Sequence, residues 1–418
     1  MHIIFVTSEM PTKENYRGGL ATFTVNIAEI FAAKGNQVEI LHVTTKEEKE
    51  EYACTIKVKN IYIDKREWNI YDDVSKIYCT DQESDANRRE MVSLMKAKAV
   101  CDYIYAIDQE QKVDIVHFSN HGAYSIFMGE RIPYVIRISG FLNIWLGGAS
   151  TVSGSLQYMD NPLQVRDRLE IYAMKKANRV FAPSRLIADM GEENLNIKVD
   201  VLESPYIMKH EMWNKTIEET KLKDKKYILF YGNLRYLKGI QVIADLVRPV
   251  LSQWSDLYLV LAGIDMEIED ENGQPVMASV YVSRRAAECS DRVLYLGKVS
   301  RTELFPIIYN AEACLMPSRI ENLSNACIEA MALGKIVIAS KDASFEQLIV
   351  DGKNGFLCER DCAEAFINTI NEVLSLPMDE KRKIENKAKT TISRLDPDVV
   401  YENFLKYYQA VIDDLKWR

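Results

Sequence analysis

The chain has 418 residues, 47% of them hydrophobic and 27% charged, with a formal net charge of −9. That length points to two or three domains whose cores need no disulfide staples. The acidic balance argues against a nucleic-acid binder, whose footprint is a basic excess, although one cleft can still be locally basic. Among eight cysteines only Cys358 and Cys362 lie close together, with no second pair or histidine nearby, so free thiols in a reducing compartment are expected and a metal site is not. The start, MHIIFVTSEMP, lacks the basic leader of a signal peptide, and no run approaches the roughly 20 apolar residues of a membrane span, so a cytoplasmic chain is expected.

In chain order, His2 to Thr7 reads as a buried parallel strand. The loop RGGLAT with Gly18 and Gly19 follows, then a helix with Phe23, Ile27, Ile30 and Phe31 at helical spacing and Gly35 placed to end it. QVEILHV is the next strand, completing a βαβ unit. The charged run Lys46 to Tyr52 reads as solvated. Val113 to Phe118, Pro133 to Ile138 and Ala177 to Ser184 continue a doubly wound sheet. The polar stretch over 204–226 reads as a linker. A second series begins with Tyr227 to Asn233 and runs through Leu257 to Gly263, Arg292 to Gly297, Ala313 to Ser318 and Lys335 to Ser340. Val400, Phe404, Tyr407, Tyr408 and Val411 predict a final amphipathic helix. The predicted architecture is α/β: residues 1–205 as one domain, 206–396 as a second, and a helix over about 397–418 packing back on the first.

Two segments carry candidate chemistry. In MPSRIENLSNACIEAMALG, Glu321 and Glu329 are separated by seven residues, and Ser324 or Asn325 is placed to cap a helix. Glu321 then stands beside the helix mouth, whose unpaired amides and positive dipole end favour a phosphate. In YGNLRYLKG, Arg235 and Lys238 follow a strand, a fork and a point charge suited to a diphosphate. Each segment also has a plain reading, as an acidic first turn and as two solvated cations.

The order of Gly-Gly loop, Gly-x-x-Arg-x-x-Lys-Gly, Pro-Ser and spaced glutamates with EAMALG, followed by Phe345 to Leu357, resembles the family-4 retaining glycosyltransferases of GT-B fold. The resemblance covers most of the C-terminal half and the first forty residues, and is weak between about 45 and 110. It implies two facing Rossmann-like domains with an interdomain cleft. It also implies transfer of a hexose-type sugar from a nucleoside diphosphate sugar to a glycan, a lipid-linked sugar or a small molecule, with retention of configuration and no metal cofactor. By matching position, Arg235 and Lys238 bind the diphosphate, the amides of Leu323 and Ser324 touch its distal phosphate, Glu329 bonds the ribose hydroxyls and Glu321 contacts the transferred sugar. Gly18 and Gly19 are expected to let the backbone approach the donor phosphates or the acceptor, or else to form an ordinary turn. His121 is the candidate for polarising a sugar, and His117 is expected under the sheet. The family commonly carries a histidine after the next strand, where this chain has Ser139. The loop Gly140 to Gly148 reads either as core or as an apolar wall for a lipid-linked acceptor, and peripheral membrane contact has no strongly basic amphipathic helix to support it. A GT-B-fold nucleotide-sugar epimerase and a non-catalytic binding module are the alternatives.

Overall fold

The computed structural model describes residues 1–12, 18–44, 51–64, 66–67, 69–70, 73, 84–140, 165–207 and 213–416. The loop expectation over 141–148 and most of the charged run at 46–52 lie outside the described residues. The described chain divides into two compact units: 1–140, 165–207 and 395–416 form one, and 213–394 the other.

The first unit is a seven-stranded parallel sheet. Its elements are β1 (His2–Thr7), α1 (Gly19–Ala33), β2 (Gln37–Val43), β3 (Lys57–Ile61), α2 (Ser84–Glu110), β4 (Ile115–Ser119), β5 (Tyr134–Arg137), α3 (Val165–Lys176), β6 (Arg179–Ala182), α4 (Arg185–Leu195) and β7 (Val199–Val201). The strand order is β3-β2-β1-β4-β5-β6-β7. Every residue of β1 and β4 is buried, as a strand covered on both faces requires. Gly35 ends α1 as expected. With φ of 81° it sits in the left-handed region, donates to Ala32 O, and leaves the Asn36 amide to reach back to Phe31 O.

The second unit repeats the scheme. Its elements are β8 (Lys226–Tyr231), α5 (Ile240–Gln253), β9 (Leu257–Ala262), a hairpin of β10 (Glu267–Glu269) and β11 (Pro275–Met277), α6 (Ala278–Arg285), β12 (Val293–Tyr295), α7 (Arg301–Asn310), β13 (Ala313–Met316), α8 (Asn325–Ala332), β14 (Val337–Ser340), β15 (Phe356–Cys358), α9 (Ala363–Ser375) and α10 (Met378–Ile392). Its parallel sheet runs β12-β9-β8-β13-β14-β15. Both units are therefore doubly wound Rossmann-like layers in which the strand order reverses beside the first strand, at β1/β4 and at β8/β13. This is the GT-B architecture, two such units in one chain. Among the described residues no helix is long and apolar enough to cross a membrane.

One sequence expectation needs correction. The stretch 204–226 is not wholly a linker: Glu218–Leu222 forms a helical turn that buries Leu222. The region between about 45 and 110, where the resemblance is weak and no element was read, contains the 27-residue α2, which buries Ala97, Val100, Cys101 and Ile104 at helical spacing.

The chain closes with α11 (Pro397–Lys416). Val400, Phe404, Tyr408 and Val411 join Ile3, Phe5, Phe23, Phe31 and Phe181 in the core of the first unit. His117 lies inside this cluster. Its ring centroid is 5.1 Å from Phe5, 5.6 Å from Phe23 and 5.3 Å from Phe181, and its Nδ1 shares a 2.6 Å hydrogen bond with the Tyr408 hydroxyl. It is a core histidine, as expected, and burial helped by the charge of Arg137 pushes its pKa down to about 3.

The native ring thus refuses a proton that the unfolded chain accepts below about pH 6.5. Stability contributed by this ring is therefore intact above that value and lost as pH falls from about 6.5 towards 3, at about 1.4 kcal/mol per pH unit. Urea unfolding at about pH 7 and about pH 5 should show a smaller acid loss for His117→Gln than for the wild type.

Candidate functional site

The chain leaves β8 through Gly232 and Asn233, and a short helical turn, Tyr236–Lys238, leads to Gly239 and α5. Gly239 has φ of 77°, and a Cβ there would lie 1.9 Å from the carbonyl oxygen of Pro317. Only glycine satisfies both conditions. The turn therefore rests directly on the chain that leaves β13, and the Arg319 amide donates to Leu237 O at 2.9 Å to lock the two loops together. β8 and β13 are neighbours at the point where the strand order reverses, the place where open α/β sheets bind ligands.

This apposition brings Lys238 to Glu321, 83 residues later, with Nζ 2.5 Å from Oε1. The Ser318 hydroxyl donates to the same oxygen at 2.8 Å, and the Glu321 amide donates to Ala343 O in the loop after β14. The carboxylate is thus held from two loops and the Glu321 backbone from a third. Its side chain is 12% exposed and that of Lys238 27%, so the pair is partly shielded from water yet reachable. Arg235, at the start of the same turn, makes no ion pair among the described residues, and its Nε is buried without an acceptor. Behind the turn, Arg319 is buried and pairs with Asp361 at 3.0 Å, while Gln241 donates to the other carboxylate oxygen.

The helix expected after Glu321 is α8, and its N-cap is Ser324, whose hydroxyl accepts from the Cys327 amide. Among the described residues the amides of Leu323 and Ser324 have no backbone acceptor. They stand at the start of the helix, its positive dipole end, two and three residues after Glu321. Glu329 lies one turn further along and is not part of that pair. Arg301, the first residue of α7, reaches it with Nη2 3.1 Å from Oε1. Burial raises the pKa of Glu329 and the Arg301 charge opposes the rise. Arg301 was not singled out from the sequence. The signal was there: Ser300 and Glu303 form a capping box that marks Arg301 as the first helical position.

Gly18, Gly19 and His121 belong to the other unit. Gly18 precedes α1 with a negative φ of −54°, and its nearest atom to an added Cβ is Glu9 Oε2 at 3.6 Å. Neither backbone strain nor crowding by the described residues calls for glycine there. His121 follows β4 in a short turn held by Glu170 of α3. That buried carboxylate accepts from Asn120 Nδ2 at 2.9 Å, the Gly122 amide at 3.1 Å and Arg166 Nε at 3.1 Å. His121 Nδ1 stands 3.9 Å from it. Burial, reinforced by the charges of Arg166 and Arg137, pushes the His121 pKa down to about 4, so the ring is neutral at pH 7 and can offer one donor and one acceptor. Glu170 and Asn120, which set this geometry, had no sequence motif to announce them.

Residues 212–391 match the glycosyl transferases group 1 family. A lipopolysaccharide 1,2-N-acetylglucosaminetransferase of Salmonella typhimurium is 26% identical over 172 residues, 41% of this chain and 44% of that one. The chain thus spans less than half the length of that relative. Among solved structures, a glycosyltransferase from Rickettsia africae superposes with a TM-score of 0.68 at 17% identity over 98% of both chains. Anabaena HepE, solved with UDP and glucose, gives 0.66 at 15% identity over 98% of this chain and 100% of that one. At these identities the structural matches speak for the fold.

Replacing Gly239 by alanine should destabilise the second unit by more than about 3 kcal/mol, since a Cβ meets backbone as well as a left-handed φ. Gly35→Ala has the same φ problem in open space and should cost about 1 kcal/mol. Thermal or urea melts of the two variants check the contrast.

Proposed function

We propose, because residues 212–391 match the glycosyl transferases group 1 family, that this chain transfers a hexose-type sugar from a nucleoside diphosphate sugar to a glycan, lipid-linked or small-molecule acceptor, with retention of anomeric configuration. The observation that carries the reading is the Lys238–Glu321 pair at the β8/β13 switch point, next in sequence to the amides that open α8. In family terms a cation, a carboxylate and amides in this order serve the three parts of a sugar nucleotide: diphosphate, sugar and distal phosphate.

In this reading the glycosidic bond to the diphosphate breaks as negative charge accumulates on the leaving oxygen. Lys238, Arg235 and the amides of Leu323 and Ser324 stabilise that charge, with about 3 kcal/mol for each well-placed donor. Glu321, held in place by Ser318 and the Ala343 carbonyl, contacts the sugar as positive character develops at its anomeric carbon. Glu329, steadied by Arg301, bonds the ribose. The acceptor hydroxyl attacks from the face the diphosphate leaves and passes its proton to the departing phosphate oxygen, which accounts for retention without a covalent enzyme intermediate. Neutral His121 bonds a sugar hydroxyl, and the Gly18–Gly19 amides approach the donor phosphates or the acceptor. The site carboxylates are already engaged by Lys238 and Arg301, so we propose that no divalent ion is needed.

Turnover of UDP- and GDP-sugars should be measured for the wild type beside Lys238→Ala and Glu321→Ala, with and without EDTA. One donor should be consumed by the wild type whether or not EDTA is present. Each substitution should lower kcat by about a hundredfold or more. Wild-type rates in both variants, or no nucleotide sugar consumed at all, would refute the assignment; NMR of the product's anomeric proton reads the configuration.

A further inference from the structure

Arg137 is the last residue of β5, at the carboxyl edge of the first sheet, in register with Ser119 of β4 and Phe181 of β6. Its side chain is buried, with the whole residue 6% exposed. The guanidinium carbon lies 4.1 Å from the centroid of the Phe23 ring. Nη1 donates to Ser139 Oγ at 2.7 Å and Nη2 to Ser204 Oγ at 3.4 Å, while Nε is buried with no acceptor. None of the described carboxylates pairs with it. The contrast with other buried cations is direct: Arg319 has Asp361, and Lys381 has Glu312.

Hydroxyl oxygens and a ring face bond a guanidinium but leave its charge uncompensated. Taking a charge out of water without a counter-charge costs free energy that those contacts do not return. Burial acts against its charged form, and no acidic neighbour opposes that effect. Five donors are available on this side chain and two are used. The side chain also lies within electrostatic reach of His117 and His121, both of which its charge disfavours as cations. Ser139, which it bonds, occupies the place where the family resemblance expects an acceptor-side histidine.

We propose that Arg137 recognises an anionic group, carboxylate or phosphoryl, on the acceptor, and that this ligand supplies the missing counter-charge. The proposal rests on the glycosyltransferase reading for the word acceptor, and on the first unit's own geometry for the anion. The planar fork matches either oxyanion, and the Ser139 and Ser204 hydroxyls that hold it pre-set its orientation.

The test compares melting of the wild type, Arg137→Met and Arg137→Lys at matched ionic strength. UDP is read first alone. With UDP then saturating, glucose, glucose 6-phosphate and glucuronate are compared. At least one anionic sugar is expected to raise the wild-type Tm where glucose does not: glucose 6-phosphate identifies a phosphoryl acceptor and glucuronate a carboxylate. Arg137→Met should bind the responding sugar at least about tenfold more weakly. It should keep the UDP response and melt no lower than the wild type without ligand, because it removes an uncompensated charge. Arg137→Lys, which keeps the charge but not the fork, should fall between. Equal anion responses in wild type and Arg137→Met, or no anion response in the wild type, overturn the proposal. A ligand-free Tm that falls in Arg137→Met alongside an unchanged anion response makes the guanidinium structural and overturns it as well. Absence of a UDP response in the wild type sinks the glycosyltransferase reading instead, and leaves the anion arms to be read on their own.

Discussion

The contact between Gly239 and the carbonyl of Pro317 is the constraint on which the candidate donor site depends. A side chain at 239 would push the turn after β8 off the chain that leaves β13. The Arg319–Leu237 bond would open and Lys238 would lose Glu321. Two strands adjacent in the sheet but far apart in sequence thus deliver a cation and a carboxylate to one place. The backbone sets the geometry, and long flexible side chains only complete it. This is how preorganised charge is held: the ordering entropy is settled when the unit folds, before any ligand arrives.

The two units treat buried charge differently. In the second, Lys238 pairs with Glu321, Arg301 with Glu329 and Arg319 with Asp361, while Arg235 makes no ion pair among the described residues. In the first unit Glu170 is tied to Asn120, Gly122 and Arg166, so the local negative charge is settled within the fold. Arg137 is left with hydroxyls and a ring. The fully buried arginines therefore differ between the units: Arg319 has Asp361, and Arg137 has no counter-charge among the described residues.

The aromatic core of the first unit shows a related economy. α11 closes over α1 and the sheet, and His117 is enclosed by phenylalanines with one hydrogen bond to Tyr408. A neutral imidazole serves there as a packing element with a polar edge. The cost appears only under acid, when the unfolded chain can take the proton and the folded one cannot.

Much of this was legible in the sequence because it is encoded locally. Continuous apolar runs mark β1 and β8, and a period of 3.6 residues marks α1 and α11, since each element must bury one face or both. Gly35 and Ser324 announce helix ends because the cap is made by residues a few positions apart. The Asn272–Gly273 pair between β10 and β11 was an equally local hairpin signal, although no strand was read there. β3 escaped because it is an edge strand of five residues with Lys57 and Lys59 exposed, and Val58 on it is only half-buried. Which charges meet was another matter. Motif spacing could nominate Lys238, Glu321 and Glu329, but only the strand order decides that Lys238 reaches Glu321 while Glu329 turns to Arg301. The isolation of Arg137 is tertiary: Ser139 is two residues away, but nothing local reveals that the elements packed around it bring the Phe23 ring and the Ser204 hydroxyl, and no described carboxylate. Local periodicity dictates which segments form elements; the non-local packing of those elements determines the partners of every buried charge.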